Sequence, residues 1–125
     1  MRVVDAGVVI AVLAGTADPE GLVDDEIAVP HLVDSEVPNA LRRAVVRGAL
    51  TDVEAGVAMD GFIRLSLTRY PADWLRPRMW ALRHDLSAYD ATYVALAEAL
   101  TAPLLTTDHR LAQAPGLLCP IRVVG

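Results

Sequence analysis

The sequence predicts an α/β fold, a three-layer α/β/α sandwich whose central sheet is mostly parallel with about five strands. Two observations carry this. Short runs rich in Val, Ile and Leu alternate with longer stretches of helical spacing, the order expected when helices cross over between parallel strands. No repeat, low-complexity tract or long Pro/Gly/Ser linker divides the 125 residues, so the whole of 1–125 is expected to form one domain.

Arg2-Val3-Val4 reads as the first strand, ending at Asp5. Residues 6–14 follow as a short helix closed by Gly15. Residues 16–25 hold Gly, Pro and four acids and read as a loop with a helical turn. A second strand spans 26–29 and stops at Pro30. The next helix runs from about Asp34 to Arg47, with Val37, Leu41, Ala44 and Val45 at helical spacing and Gly48 to end it. Pro38 departs from this pattern, removing one early backbone bond and inviting a bend. Thr51-Asp52-Val53-Glu54 is a capping box opening a helix to about Phe62. Residues 63–67 alternate as a third strand before Tyr70-Pro71. Asp73 is expected to cap a helix reaching Arg83, with Pro77 in its first turns, where a missing N–H matters least. Residues 87–100 carry a long helical pattern with Tyr89, Thr92, Tyr93 and Leu96 on one face. Residues 103–106 and 121–124 complete the strands.

Composition narrows the function classes. The chain is 54% apolar and 22% charged, which suits a globular domain able to bury a core. Its one cysteine, Cys119, excludes an internal disulfide framework and fits a reducing, cytoplasmic setting. No apolar run approaches the ~20 residues of a membrane span, and Asp5 falls where a signal peptide needs its apolar stretch. The net charge is −5, and all eleven basic residues are arginine. Amine chemistry such as a Schiff base or a P-loop lysine is therefore excluded. An acidic chain binds nucleic acid only through local arginines, a metal, or both.

The acids fall where ligands collect in open α/β sheets, beyond the carboxyl ends of the strands. Asp5 ends the first strand, and Asp108 lies just past the fourth. Glu36 follows the second strand at the start of a helix, and Asp90 sits in the first turn of the 87–100 helix. Each has a purely structural role open to it: Asp5 and Asp108 as helix caps, Asp90 as the end of a Ser87-x-x-Asp90 box, Glu36 as partner to a helix dipole. Gathered together, four carboxylates repel and raise one another's pKa unless a cation neutralises them. All-oxygen donors with no clustered His or Cys point to Mg²⁺ or Mn²⁺. Such an ion lowers the pKa of bound water and offsets charge in a phosphoryl displacement, the chemistry of a metal-dependent nuclease.

The blocks Val3-Val4-Asp5-Ala6, His31 to Arg43 (His-Leu-Val-Asp-Ser-Glu-Val-Pro-Asn-Ala-Leu-Arg-Arg), Leu86-Ser87-Ala88-Tyr89-Asp90-Ala91-Thr92-Tyr93 and Pro103-Leu104-Leu105-Thr106-Thr107-Asp108-His109 together resemble a PIN domain. More closely, they are similar to the VapC toxins of bacterial type II toxin–antitoxin systems. The likeness runs almost end to end. It implies that Asp5, Glu36, Asp90 and Asp108 are the acidic metal-site positions and that Thr106 is the hydroxyl residue beside them. It further implies a Mg²⁺- or Mn²⁺-dependent endoribonuclease cutting cellular RNA, a homodimer, and inhibition by a VapB-type antitoxin. The segment between Gly15 and Glu26 is short for the family, which touches a region that often faces the partner.

On this reading Asp5, Asp90 and Asp108 hold the principal metal, Glu36 assists, and activated water attacks a phosphodiester to leave a 5′-phosphate and a 3′-hydroxyl. Thr106 is free to donate to a carboxylate or substrate, or to satisfy local backbone. His31, His84 and His109 read as structural or surface residues. Arg110 is a candidate phosphate contact, and Arg42, Arg43 and Arg47 form a basic stripe. Trp74 and Trp80 are expected on one helix, in core or dimer packing. A phosphoacceptor receiver would want an acidic pair and a lysine, and a dehalogenase-type phosphatase Asp-x-Asp where this chain has Asp5-Ala6-Gly7. The alternative that survives is a PIN-like module that binds RNA or a partner without cutting.

Overall fold

The computed structural model describes residues 1–17 and 25–125, so the expected loop over 16–25 lies, from 18 to 24, outside the described residues. Five strands form one all-parallel sheet: β1 (Arg2–Val4), β2 (Ile27–Pro30), β3 (Thr68–Tyr70), β4 (Leu104–Thr106) and β5 (Ile121–Val123), in the order β3-β2-β1-β4-β5. Val3 stands opposite Ala28 on one side and Leu104 on the other. The chain thus works outward from β1 in one direction, then returns to lay β4 against its other side. β1 and β4 flank the point where the strand order reverses, the place where such sheets bind ligands.

Successive strand residues face opposite layers. Val3, Ala28 and Leu104 pack with α5 (Ala88–Ala99), Leu75 and Leu82. Val4, Ile27, Val29 and Leu105 pack against Val8 and Val9 of α1 (Ala6–Leu13), Val33, Val37 and Leu41 of α2 (Val33–Val46) and Phe62 of α3 (Asp52–Arg64). The central strands are therefore buried on both faces, as their unbroken aliphatic runs require.

Local signals fix the helix ends. Gly48, at φ +80°, closes α2 with its N–H on the Val45 carbonyl while the Ala49 N–H reaches Ala44, the paired bonds of a left-handed glycine cap. α2 continues unbroken through Pro38, its sixth residue, which cannot donate the helical bond due to the Asp34 carbonyl. Both halves of the capping box at α3 form: the Thr51 hydroxyl accepts from the Glu54 N–H at 3.1 Å, and Glu54 accepts from the Thr51 N–H at 3.0 Å.

Four expectations need correction. The third strand is 68–70 and not 63–67, because α3 extends to Arg64 and Ile63 is its exposed last turn. A border strand with one neighbour needs little apolar alternation, so Thr68-Arg69-Tyr70 gave no pattern to read. The helix expected from Asp73 to Arg83 is a 3-10 turn, Asp73–Leu75, followed by α4 (Arg76–Ala81), with no side-chain cap. Trp74 and Trp80 accordingly lie on separate elements, and both are exposed rather than in the core. Tyr89 also faces solvent, while the buried run of α5 is Ala91 to Ala97. A short α6 (His109–Ala112) stands between β4 and β5. Among the described residues no helix is long and apolar enough to cross a membrane.

Candidate active site

Because every strand is parallel, the acids following them open onto one edge. Asp5 leaves β1 half-buried and does two jobs. Its Oδ1 accepts from the Val8 N–H at 2.9 Å, capping α1, and its Oδ2 accepts from the Thr106 hydroxyl at 2.5 Å. Thr106, fully buried at the end of β4, in turn accepts from the Asp108 N–H at 3.0 Å. Its hydroxyl is thereby spent, donating to one site carboxylate and ordering the backbone of another. Both readings of Thr106 hold together: it positions Asp5 and satisfies backbone, and its burial removes it from direct substrate contact.

Glu36, in the first turn of α2, receives the Tyr93 hydroxyl from α5 at 2.7 Å. Asp90 occupies the first turn of α5, where the Ser87 hydroxyl accepts from its N–H at 3.2 Å, one half of a capping box. Asp108 caps α6 through the Arg110 N–H at 2.9 Å, and its carboxylate faces the exposed Arg110 guanidinium at 3.4 Å. A cleft of about 340 Å³ opens between these last two elements, lined by Ser87, Asp90, Asp108 and Arg110 among others.

The electrostatics tie the four together. Burial pushes the Asp5 carboxyl above the usual range, and the charges of Asp90 and Asp108 push the same way against the Thr106 and Val8 donors. Burial likewise raises Glu36, helped by Asp90 and Asp5 and opposed by Tyr93 and Arg43. Asp90 is raised by burial and by Asp108. Only Asp108 is lowered, by Arg110. The Tyr93 phenol, buried beside Glu36, is pushed far up and stays a donor.

The sequence matches the PIN domain family over residues 2–117. This chain belongs to the PIN-domain family. Among curated relatives, it is 47% identical to Ribonuclease VapC1 of Mycobacterium tuberculosis over 131 residues, covering 98% of this chain and 96% of the relative. It is 46% identical to Ribonuclease VapC9 of the same organism, covering 99% and 98%. Among solved structures, PAE2754 from Pyrobaculum aerophilum superposes with a TM-score of 0.74 at 24% identity, covering 96% of this chain and 81% of that one. VapBC2 from Rickettsia felis, bound to a promoter DNA fragment, gives 0.69 at 14% identity, covering 99% and 98%. These two likenesses speak for the shared fold.

Against this PIN domain's own residues, a hard divalent cation fits in donor chemistry and in charge. The candidate donors are all carboxylate oxygens, and three of the four are held above their usual pKa by burial, with neighbouring carboxylates adding to it. As the side chains stand, among the described residues no three His, Cys, Asp or Glu are grouped closely enough to hold an ion.

Two contributors escaped the sequence. Tyr93 reads from the sequence only as part of a helix face, although it lies three residues beyond Asp90, where a helix brings side chains to one side. Gly7 packs so closely under Thr107 that an added Cβ would collide with the Thr107 hydroxyl and touch Asp5. An Asp-x-Gly following a strand was the available signal for close approach. The histidines are all exposed, as expected.

Proposed function

We propose that this PIN domain is the ribonuclease toxin of a VapBC-type toxin–antitoxin system. It acts as a Mg²⁺- or Mn²⁺-dependent endoribonuclease spanning 1–125 as one domain. It resides in the cytoplasm, pairs with a second copy and is neutralised by a VapB-type antitoxin. The observation that carries the reading is the shared field of Asp5, Glu36, Asp90 and Asp108 at the strand-order reversal, in a chain nearly half identical over its length to proteins named as VapC ribonucleases.

Asp5, Glu36, Asp90 and Asp108 would hold the cation, whose chemistry would be to activate water and offset the charge of phosphodiester hydrolysis to a 5′-phosphate and a 3′-hydroxyl. The protein's own part is positional. Thr106 and the Val8 N–H hold both Asp5 oxygens from the side facing the fold. Tyr93 fixes one oxygen of Glu36. Arg110, its side chain exposed beside Asp108, would be placed to meet a substrate phosphate. The chain's net charge of −5 would repel RNA at long range, so local arginines and the cation supply the attraction.

The open donor spacing is the one observation that favours the second reading, a PIN module that binds RNA or a partner without cutting. Cleavage of RNA by the purified full chain, abolished by EDTA and restored by Mg²⁺ or Mn²⁺, separates the two. Full cleavage in EDTA, or undiminished cleavage by both Asp5→Asn and Asp90→Asn, overturns the metal mechanism. No cleavage under any metal favours the silent module.

A further inference from the structure

One surface beside the cleft is left unused by the mechanism. Residues 73–85 carry three arginines and a histidine between two flanking acids, Asp73 and Asp85, in a chain of net charge −5. Arg78 is spent on Glu98, bridging it at 2.6 Å. Arg76 and Arg83 are exposed, and among the described residues their guanidinium hydrogen bonds go to backbone alone, the Asp73 and Trp80 carbonyls, each at 2.9 Å. Neither forms an ion pair among the described residues.

Between them stands Trp80, 68% exposed, with the Arg83 guanidinium 4.5 Å over its ring. Together with Met79 and Ala88 these residues line a hollow of about 320 Å³. Ala88 opens α5, and its neighbours Ser87 and Asp90 line the carboxylate cleft, so the two hollows lie on different sides of the start of α5. Tyr89, also exposed, lies in the first turn of α5.

Leaving an indole in water forgoes burial of a large apolar surface, so an occupant is expected. A second copy docked with this patch on the two-fold axis would bring Arg76 and Arg83 near their own duplicates. A polyanion reverses that penalty. Unpaired nucleotides stack on aromatic rings and on guanidinium planes, and that pairing of groups is what Trp80 and Arg83 present.

We propose that Trp80, Arg83 and Arg76 form a subsite for an unpaired RNA nucleotide flanking the cleavage point, its base on the indole–guanidinium stack and its phosphate against the arginines. The proposal rests on the ribonuclease reading and adds a preference for single-stranded RNA. Its test is binding of a fluorescently labelled single-stranded oligoribonucleotide to the full chain, followed by anisotropy in an Asp5→Asn background that leaves the RNA intact. Trp80→Ala is expected to weaken binding about tenfold, with Trp80→Phe close to the parent. Arg83→Ala is expected to flatten the salt dependence by about one phosphate contact. Oligonucleotides with one abasic position should lose affinity for the parent at a single place, and Trp80→Ala should show no added loss there.

Unchanged binding by Trp80→Ala overturns the proposal, as do independent, additive losses from the abasic site and the variant. A Trp80→Ala chain that only turns from dimer to monomer in sedimentation, with RNA affinity intact, assigns the face to self-association instead. If the parent binds and cuts no RNA at all, the ribonuclease reading falls with it. Trp80 is a surface residue, so a melting curve matching the parent certifies the fold in every arm.

Discussion

Helix α5 carries an acid at each end, and the two ends behave oppositely. Asp90 sits in the first turn, where the helix dipole favours negative charge, yet its pKa is raised. Glu98 sits in the last turn, where the dipole opposes it, yet its pKa is lowered. Partners make the difference. Burial pushes Glu98 up, but Arg78 grips both its oxygens at 2.6 and 3.1 Å and the Leu118 N–H adds a bond at 2.9 Å, which together outweigh burial. Asp90 has burial and a like-charged neighbour. The Glu98 end is a clasp that ties α4 and the approach to β5 onto α5; the Asp90 end is left under electrostatic tension that a cation relieves.

The sharpest way to break this contrast is neutralisation. Asp5→Asn and Asp90→Asn are each expected to cut RNA cleavage by about 10²–10³-fold, as loss of a charge-stabilising group does, while the metal-free melting temperature holds or rises. Activity assays and thermal melts read both. A variant that loses stability along with activity would make the edge an ordinary structural cluster. At the other end, Glu98→Gln keeps the shape and removes the charge, and should cost about 1–2 kcal/mol by urea unfolding with little change in activity.

Tyr93→Phe sits between these extremes. It removes the donor from Glu36 without altering packing, and is expected to cost about 1 kcal/mol and lower cleavage severalfold. Loss of cleavage as deep as that of Asp5→Asn would promote Tyr93 to direct contact with substrate. The smallest effect is in pH. The raised carboxyls of Asp5, Glu36 and Asp90 cost stability when ionised in the fold, so metal-free protein should gain stability as pH falls from neutral through their elevated values. Glu98 has the opposite sign: its contribution is present above the ordinary carboxylate range and is lost as pH falls through its lowered value. Metal-free stability should peak in mild acid, and saturating Mg²⁺ should raise and flatten the neutral side. A maximum that stays at neutral pH without metal would contradict the tension at the edge.

How much of this was legible follows from how local each signal is. β1, β2, β4, α1, α2, α3 and α5 announce themselves through aliphatic runs, caps and terminating glycines, all carried within a few residues. β3 did not, because Thr68-Arg69-Tyr70, unlike Ile121–Val123 at the other border, carries no aliphatic residue and is defined by its pairing with Ala28–Pro30. The four acids could be gathered on paper because parallel strands send their ends to one edge. What Thr106 does there could not be settled, since its bond to Asp5 spans 101 residues. Tyr93 and Gly7 were missed for the same reason: their meaning lies in contacts made across layers.

The two border strands share a feature with its own consequence. Each places an arginine at its middle position, Arg69 in β3 and Arg122 in β5, and Arg69 is further held by Asp34 at 2.6 and 2.8 Å. Open sheets invite further strands from neighbouring molecules, and proteins commonly repel them with lysine. This chain owns no lysine, so guanidinium groups guard the margins, keeping crowded copies from zipping into fibres.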